Sequence, residues 1–337
     1  MPQGEILLVS CNNLGGFGCR YSLALISSEG VSWLDLDSVI DPSTDSGIAG
    51  ILATQHDCFL AIQSARPRIV RLDRKLSLGA QTVSERGVDI HSLAERDGVI
   101  YAASTGRNEI VAFGCPEGRF SGGERVLLRA APQSKNSVHL NSLCFADGEL
   151  LYSIFGHRHG TVRSGALVNA ATGAVLCDGM RDPHSLMDLG DGRIAFCESL
   201  TASFCLLDLP TGVVTRAELS GYTRGCAFTG RHFVVGSSRW RHRSRSLGSL
   251  REEPPCEDPH GNPWQRSALY FLNPDLSLAH RLDFTKYAPE IYDVAYVGTR
   301  FAPASVFEDA AARRLDAMYD EIHREARPSK SYYSKRA

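Results

Sequence analysis

Six short segments recur along this chain, and each opens an apolar run with a polar or small residue at the same position. The aligned positions are Ala49, His91, Asn141, His184, Arg224 and Tyr292. The steps between them are 42, 50, 43, 40 and 68 residues, the length of one four-stranded propeller blade with one insertion near the end. The spacing predicts a β-propeller, a fold that gathers side chains far apart in sequence around one axis.

The order of strands and turns inside each repeat agrees with this prediction. Asp-Gly pairs recur at the first turn, as Asp97-Gly98, Asp147-Gly148 and Asp191-Gly192, and such pairs suit tight hairpins because both residues tolerate positive φ. The second strand of each repeat is a nearly continuous apolar run, as in residues 58–62. Runs of this kind are typical of strands that are covered on both faces by neighbouring sheets.

The two ends of the chain are predicted to complete one blade together. The last repeat, residues 291–297, has no further strands after it, whereas residues 5–10, 21–27 and 31–36 are three strands without an opening segment. One strand plus three closes the ring and leaves no exposed sheet edge. We therefore predict an all-β, six-bladed propeller over residues 1–303, with an insertion at about 239–266 in blade five.

A helix is predicted after the propeller, over residues 304–326. Ser305 and Glu308 have the spacing of a capping box, and the apolar residues that follow form one face of a helix. This helix either packs on the rim of the propeller or provides a surface for a protein partner or for self-association. The tail at 327–337 is predicted to be disordered.

Composition excludes several classes of protein. The net charge of -2 argues against a general nucleic-acid binder, which needs a basic surface. Neither a signal peptide nor a membrane anchor is predicted, and the ten cysteines are scattered without a CxxC pair. We therefore expect buried reduced thiols and a cytoplasmic location. No dinucleotide fingerprint or Walker loop occurs, so no nucleotide cofactor is expected.

Several motifs resemble a known family. They are His91-Ser-Leu, His139-Leu-Asn-Ser142, Pro183-His-Ser185, Arg224-Gly-Cys-Ala-Phe228 and Tyr292-Asp-Val294. Together they resemble a bacterial family of propeller proteins of unknown function, over about residues 47–303. That family is more distantly similar to six-bladed lactonase and strictosidine-synthase-like propellers, which carry a metal or a catalytic acid at the axis. The acidic and asparagine ligands typical of the lactonases are not evident at the matching positions of this sequence.

The six aligned residues are predicted to form a ring at one mouth of the central channel, because each opens an innermost strand. His91 and His184 come from blades two and four, on either side of Asn141. Three interpretations of these residues stay open. They hold one divalent transition metal (zinc, iron or copper), they bind a ligand or exchange protons without a metal, or they are structural residues that link the blades.

Arg224 is the most specific clue to a ligand. A guanidinium at the channel mouth pairs with an anionic group of a substrate, or with an internal carboxylate such as Asp293 or Glu198. Tyr292 and Asp293 are candidates for proton transfer. Further candidates for substrate binding lie beside the ring or on loops at the same face: Asn141, His139, His157, Arg239 and Trp240.

These residues predict a small-molecule enzyme that acts on an anionic substrate at the channel mouth. The reaction would be that of a lyase, isomerase, cyclase or hydrolase, with His91, His184, Arg224, Tyr292 and Asp293 as the catalytic candidates. The alternative is a non-catalytic propeller that binds a protein, peptide or glycan.

Overall fold

Each of the six repeated segments lies on the innermost strand of an antiparallel sheet, at or near the start of that strand in five blades and further along it in blade one. The computed structural model describes residues 3–12, 21–41, 43–132, 136–156, 158–159, 162–239, 266–288 and 290–307. Within these residues six blades are formed, each with four strands in order from the axis outwards and the last with a fifth at its outer edge. The predicted six-bladed, all-β propeller is confirmed.

Blades one to five are each built from a single stretch of the chain, and the strands are numbered along the chain. Blade one contains β4 (Asp45–Ala53), β5 (Cys58–Ser64), β6 (Arg68–Leu72) and β7 (Leu78–Val83). Blade two contains β8 (Ile90–Arg96), β9 (Val99–Ser104), β10 (Glu109–Gly114) and β11 (Ser121–Arg129). Blade three contains β12 (Leu140–Ala146), β13 (Glu149–Ile154), β16 (Gly165–Asn169) and β17 (Val175–Met180), with the small hairpin β14 (Arg158–His159) and β15 (Val162–Arg163) between its second and third strands. Blade four contains β18 (Pro183–Asp188), β19 (Arg193–Glu198), β20 (Ser203–Asp208) and β21 (Val213–Glu218). Blade five contains β22 (Tyr222–Phe228), β23 (Phe233–Ser238), β24 (Ala268–Leu272) and β25 (Leu278–Asp283).

Blade six is made from both ends of the chain, as predicted. Its strands are β26 (Ile291–Gly298), β1 (Ile6–Cys11), β2 (Leu23–Ser27) and β3 (Gly30–Leu34), in that order from the axis. Strand β1 pairs antiparallel with β26, with Leu8 opposite Ala295. This pairing closes the ring because it gives the innermost strand of the last repeat a partner from the N-terminus.

The chain does not begin a helix at Ser305. Instead a fifth strand, β27 (Val306–Phe307), pairs with the outer edge of β3, with Val306 opposite Leu34 and Phe307 opposite Trp33. The outer edge of β3 presents backbone N–H and C=O groups that need hydrogen-bond partners. Pairing with this edge overrides the local helix signal of the capping box. The remainder of the predicted helix, 308–326, and the tail at 327–337 lie outside the described residues.

The hydrophobic core occupies the spaces between neighbouring blades. In one such space, Phe59 and Ile69 of blade one pack with Ile100 and Val111 of blade two. The second strands are buried along most of their length, as expected for strands covered on both faces. Within the described residues no helix is both long and apolar enough to cross a membrane.

The eight cysteines of the described part of the chain are all free, and seven of them are buried. Burial raises the pKa of the Cys58 thiol to about 12. Such thiols behave as small apolar groups of the core, as the sequence indicates. The other two cysteines of the sequence lie outside the described residues.

Candidate functional site at the channel mouth

Every innermost strand carries a β-bulge at or beside the position singled out by the repeats. In blade two, His91 and Ser92 together oppose a single residue, since Ile90 pairs with Ser104 and Leu93 pairs with Ala102. The same irregularity occurs in the five other blades, one residue later in blade four. Because a bulge re-aims side chains, its repetition directs one set of side chains towards a common centre.

The residue after each aligned position links one blade to the next. In four blades its side chain accepts a hydrogen bond from a backbone N–H on the innermost strand of the following blade. The bonds are Leu143 N–H to Ser92 at 3.1 Å, Ser185 N–H to Ser142 at 2.6 Å, Gly225 N–H to Ser185 at 2.7 Å and Ile51 N–H to Asp293 at 2.8 Å. These bonds fix the innermost strands relative to one another at the channel mouth.

The two remaining blades have glycine at this position. A Cβ added to Gly50 would lie 3.0 Å from the carbonyl oxygen of His91, and a Cβ added to Gly225 would lie 2.7 Å from the nitrogen of Val294. The backbones of neighbouring blades therefore approach one another too closely for a side chain. Around the axis, each junction is held by a short side chain or by direct contact of backbones.

Seven side chains form a closed circuit of contacts at the channel mouth, and we call this set the mouth cluster. Ring centroids are separated by 5.2 Å for His91–His139, 4.2 Å for His139–Phe155, 5.0 Å for Phe155–His184, 5.4 Å for His184–Tyr222 and 5.4 Å for Tyr292–His91. The guanidinium of Arg224 closes the circuit, 5.3 Å from the ring of Tyr222 and 4.4 Å from that of Tyr292. The alanine of blade one is too short to join, so Tyr292 of blade six contacts His91 of blade two directly.

The sequence identified five members of the mouth cluster and missed two. His91, His139, His184, Arg224 and Tyr292 were predicted, and the structure brings them together. Phe155 and Tyr222 were missed. The available signal for Tyr222 was its place two residues before Arg224, which matches the place of His139 before Asn141.

His184 is held in a single neutral tautomer. Its Nδ1 lies 2.9 Å from the backbone oxygen of Asp182 and 2.7 Å from the Ser199 hydroxyl. A carbonyl oxygen only accepts, so Nδ1 carries the proton and Nε2 keeps a lone pair. Burial lowers the pKa of His184 well below its usual value, and the positive charge of Arg224 lowers that pKa further.

In the part of the chain that the structure describes, no group uses the lone pair on Nε2 of His184. Within the described residues Nε2 has no hydrogen bond, although the whole side chain is only 4% exposed. The Ser199 hydroxyl donates its own proton to the carbonyl of Thr223, so Ser199 accepts from His184 and keeps the imidazole oriented. A neutral, oriented imidazole with an available lone pair can accept a hydrogen bond or a proton from a bound molecule.

His91 is fully occupied by hydrogen bonds. Ser142 donates to the oxygen of the Asn141 amide at 2.9 Å, and this bond turns the amide nitrogen towards His91 Nδ1, 3.1 Å away. The other ring nitrogen, Nε2, then donates to Asp89 at 3.0 Å. Burial raises the pKa of the Asp89 carboxyl, but His91, His139 and a hydrogen bond from Gln63 outweigh burial and hold that pKa well below its usual range.

Arg224 is paired with a carboxylate inside the protein. Its Nη2 contacts Glu290, and its Nε donates to the backbone oxygen of Ile291 at 2.9 Å. The side chains of Arg224 and Glu290 are 4% and 1% exposed. The partner is therefore neither Asp293 nor Glu198, the internal candidates from the sequence.

The carboxylates of Glu198 and Asp293 interact with other partners. Glu198 pairs with Arg216 at 3.0 Å, and the carboxylate of Asp293 accepts from the backbone N–H groups of Ile51 and Val294. Glu290 immediately precedes β26, which places its carboxylate beside the innermost strand of blade five. The sequence signal for Glu290 was its position directly before the last repeat.

Residues 128–305 match a domain of unknown function, DUF4915. The match spans more than half of the chain and includes blades three to five and the closing strand. This chain belongs to the DUF4915 family. The family resemblance seen in the motifs is thereby confirmed.

Solved structures share the fold of this DUF4915 protein at low identity. A chain of the nidogen–laminin complex matches with a TM-score of 0.60 and 11% identity, over 89% of this chain and 100% of that chain. A protein of unknown function from Bacteroides caccae matches with a TM-score of 0.58 and 12% identity, over 87% and 98%. A putative 6-phosphogluconolactonase from Bacteroides fragilis matches with a TM-score of 0.52 and 10% identity, over 87% and 98%. No curated protein matches the sequence significantly.

The described residues of this DUF4915 protein do not fit the predicted metal site. They contain no group of three or more histidine, cysteine, aspartate or glutamate side chains that could hold a metal ion. His91 would have to give up a hydrogen bond at either ring nitrogen, and the Asn141 oxygen already accepts from Ser142. Of the three predicted ligands, only His184 keeps a nitrogen lone pair that no hydrogen bond uses, and one imidazole does not make a metal site. The metal stays an untested prediction.

The other residues predicted for the site do not belong to the mouth cluster as the structure describes it. Asp293 lies beside the mouth cluster, and burial raises the pKa of its carboxyl to about 7, against the effect of its two backbone hydrogen bonds. Arg239 follows the end of β23 by one residue. His157, Trp240 and residues 240–265 of the insertion lie outside the described residues.

Replacing His184 by asparagine is expected to remove a pH-dependent part of the stability. The unfolded chain gains a proton on His184 below about pH 6.5, whereas the folded protein does not, because burial lowers the pKa of the imidazole. The stability that His184 contributes is thus present above this pH and is lost as the pH falls, by about 1.4 kcal/mol per pH unit. Asparagine keeps an N–H near the position of Nδ1 but does not titrate.

Urea unfolding of both proteins from about pH 8 to about pH 5 measures this effect. The difference in unfolding free energy between wild type and His184→Asn should shrink as the pH falls. Because Asp293 is present in both proteins, its own pH dependence cancels from the difference. A difference independent of pH would show that His184 titrates normally in the folded protein.

Proposed function

We propose that this DUF4915 protein is a small-molecule enzyme that works by proton transfer at the channel mouth, with Nε2 of His184 as the general base. The observation that carries the proposal is the neutral, Nδ1-protonated tautomer of His184, which Asp182 and Ser199 hold while its second nitrogen has no hydrogen bond among the described residues. This nitrogen has no hydrogen bond within the described residues and is not among their fully buried unpaired atoms, so water or a ligand can reach it. Residues with strongly shifted pKa values also concentrate at functional sites.

Hydrolysis of a lactone or ester is the reaction class to test first. In this step a water molecule gives a proton to Nε2 of His184 while its oxygen bonds to the carbonyl carbon. The C–O bond of the ester then breaks, and the leaving oxygen takes the proton back from His184, so that one water is consumed for each hydroxy acid formed. The fold shared with a putative 6-phosphogluconolactonase supports this choice at the level of fold alone.

His184→Asn is the decisive variant for this proposal. A panel of small lactones and esters is screened with a pH indicator that reports the released acid. For a substrate found in this way, we expect kcat/KM of the variant to fall by about 10²–10⁴-fold, the usual contribution of a general base. The wild-type profile should be flat above about pH 6.5, because the pKa of His184 lies below this value.

A matched control distinguishes the site from histidine loss in general. His280 is an exposed histidine on β25, the outer strand of blade five, and His280→Asn should leave kcat/KM unchanged. If His184→Asn retains full activity while its fold is intact, His184 is not the base.

One observation favours the alternative of a non-catalytic propeller. All seven members of the mouth cluster are at least nine-tenths buried, and the most exposed, His91, is 8% accessible. Such a cluster also serves as packing that holds the innermost strands together. An enzyme screen without any His184-dependent activity, combined with a large loss of stability in His184→Asn, would support this alternative.

A further inference from the structure

The backbone before the axial histidine is held in the same way in blades two and four. Asp89 stands two residues before His91, Asp182 stands two residues before His184, and both aspartates have positive φ. In each blade the backbone oxygen of the aspartate accepts an N–H at 3.2 Å from the first residue of the 3-10 turn after the second strand. The hydroxyl of this turn residue donates to a backbone oxygen on the innermost strand of the next blade. The two turn residues are Thr105 and Ser199.

The carboxylates of the two aspartates nevertheless bind different partners. Asp89 accepts from Nε2 of its own histidine, His91, at 3.0 Å. Asp182 accepts from the phenol of Tyr222 at 3.1 Å, and no hydrogen bond joins its carboxylate to His184, which donates from Nδ1 to the Asp182 backbone oxygen. The two histidines therefore carry their protons on opposite ring nitrogens, Nε2 in blade two and Nδ1 in blade four.

The partner of the Asp182 carboxylate comes from the neighbouring blade. Tyr222 of blade five occupies the place that His139 occupies in blade three, and Nδ1 of His139 lies 3.0 Å from the amide oxygen of Asn136. Tyr222 and Asp182 are 1% and 3% exposed, so water cannot replace the phenol as a donor. Without the phenol, the carboxylate would lose a donor, and the imidazole N–H of His184 is the donor that the equivalent carboxylate uses in blade two.

We infer that Tyr222 is a positioning residue, whose phenol keeps the Asp182 carboxylate away from His184 and thereby leaves Nε2 of His184 open to a bound molecule. The consequence for turnover rests on the proposed function, whereas the effect on the imidazole does not. When a carboxylate accepts from Nε2–H, that nitrogen has no lone pair with which to take up a proton. Blade two shows this closed state, since both ring nitrogens of His91 are engaged.

Tyr222→Phe tests the inference because it removes the phenol and keeps the ring that contacts His184 at 5.4 Å. We expect the imidazole to reorient and its proton to move to Nε2, with this form favoured by about tenfold, because a carboxylate is a stronger acceptor than a carbonyl. NMR of the side-chain nitrogens of His184 at alkaline pH distinguishes the protonated from the unprotonated ring nitrogen. The carboxylate also stabilises the charged imidazole, so the pKa of His184 should be higher in the variant than in the wild type.

Unchanged nitrogen resonances of His184 in folded Tyr222→Phe would overturn the inference. If this variant does not fold, Tyr222→His repeats the test with the residue that blade three has at the same place. The same move of the proton is then expected, because His139 leaves Asp89 bound to His91.

Two further variants separate the role of the Tyr222 phenol from a general disturbance of the mouth cluster. Tyr292→Phe removes another phenol of the cluster, but this ring contacts His91, so His184 should keep its proton on Nδ1. In the double variant Tyr222→Phe/Asp182→Gly the carboxylate is absent, and glycine tolerates the positive φ of residue 182, so the proton should return to Nδ1. A proton that stays on Nε2 in the double variant would mean that the Asp182 carboxylate does not capture the imidazole.

Activity distinguishes a failure of this inference from a failure of the proposed function. For a substrate found among the lactones and esters, kcat/KM of Tyr222→Phe should fall by about tenfold, because the form with an open Nε2 becomes the minor one. If the proton moves to Nε2 but kcat/KM is unchanged, Tyr222 positions His184 and the role of His184 as base is wrong. If His184→Asn loses activity but the proton stays on Nδ1 in Tyr222→Phe, the base stands and the role of Tyr222 is wrong.

Discussion

Replacing Glu290 by alanine is expected to lower the free energy of unfolding by about 3–5 kcal/mol, because the Arg224 guanidinium would stay buried without a carboxylate. The expected effect is large because the two side chains are 4% and 1% exposed, so water cannot take the place of the lost partner. Arg224 lies on β22, and Glu290 immediately precedes β26, so the pair also joins blade five to the strand that closes the ring. Urea unfolding measures the change.

An exposed ion pair near the same blade is the matched control. Arg266 and Asp283 are 3.1 Å apart, with side chains that are 53% and 47% exposed. Asp283→Ala should cost at most about 1 kcal/mol, as is usual for pairs in contact with water. Equal losses in Glu290→Ala and Asp283→Ala would mean that the buried pair contributes no more than a surface contact.

The blade count and the positions that face the axis could be predicted from the sequence, because both depend on local repetition. A blade folds mainly through its own hairpins, so its length and turns recur along the chain. The aligned residues His91 and Arg224 therefore indicated where the inner strands begin. The closing of blade six followed from counting strands at the two ends.

The contacts among these residues could not be predicted, because they depend on neighbours in other blades. Asp89 and Asp182 both stand two residues before an axial histidine, and both have positive φ. The Asp89 carboxylate nevertheless accepts from His91, whereas that of Asp182 accepts from the phenol of Tyr222 at 3.1 Å. The position equivalent to Tyr222 in blade three is His139, so the two aspartates meet different neighbours although their local sequences agree.

The prediction that a helix begins at Ser305 was wrong for a related reason. Its signal is local, whereas the actual partner of Val306 and Phe307 is an edge strand formed from residues 30–34, almost the whole chain away in sequence. Long-range pairing of a strand edge is not visible in a window of a few residues. Sequence patterns thus predicted the strands better than they predicted which strands and side chains contact one another.

Replacing Gly225 by alanine is expected to destabilise the propeller by several kcal/mol. The residue has φ of +75°, which costs an L-residue about 1–2 kcal/mol. In addition, the new Cβ would lie 2.7 Å from the nitrogen of Val294 and 2.8 Å from the carbonyl carbon of Asp293. Steric overlap of this kind costs a further ~1–3 kcal/mol. The backbone of β26 cannot retreat, because β1 pairs with its other side to close the ring.

Gly212→Ala separates the two contributions. Gly212 has a similar φ of +70°, but a Cβ there would meet nothing within 4 Å. Its replacement should therefore cost only the backbone term, and the excess loss in Gly225→Ala, measured by urea unfolding, reports the close approach of blades five and six. Equal losses for the two variants would mean that the innermost strands can move apart at the axis. The mouth cluster would then not be held at fixed distances, and the position of His184 within it would lose its structural basis.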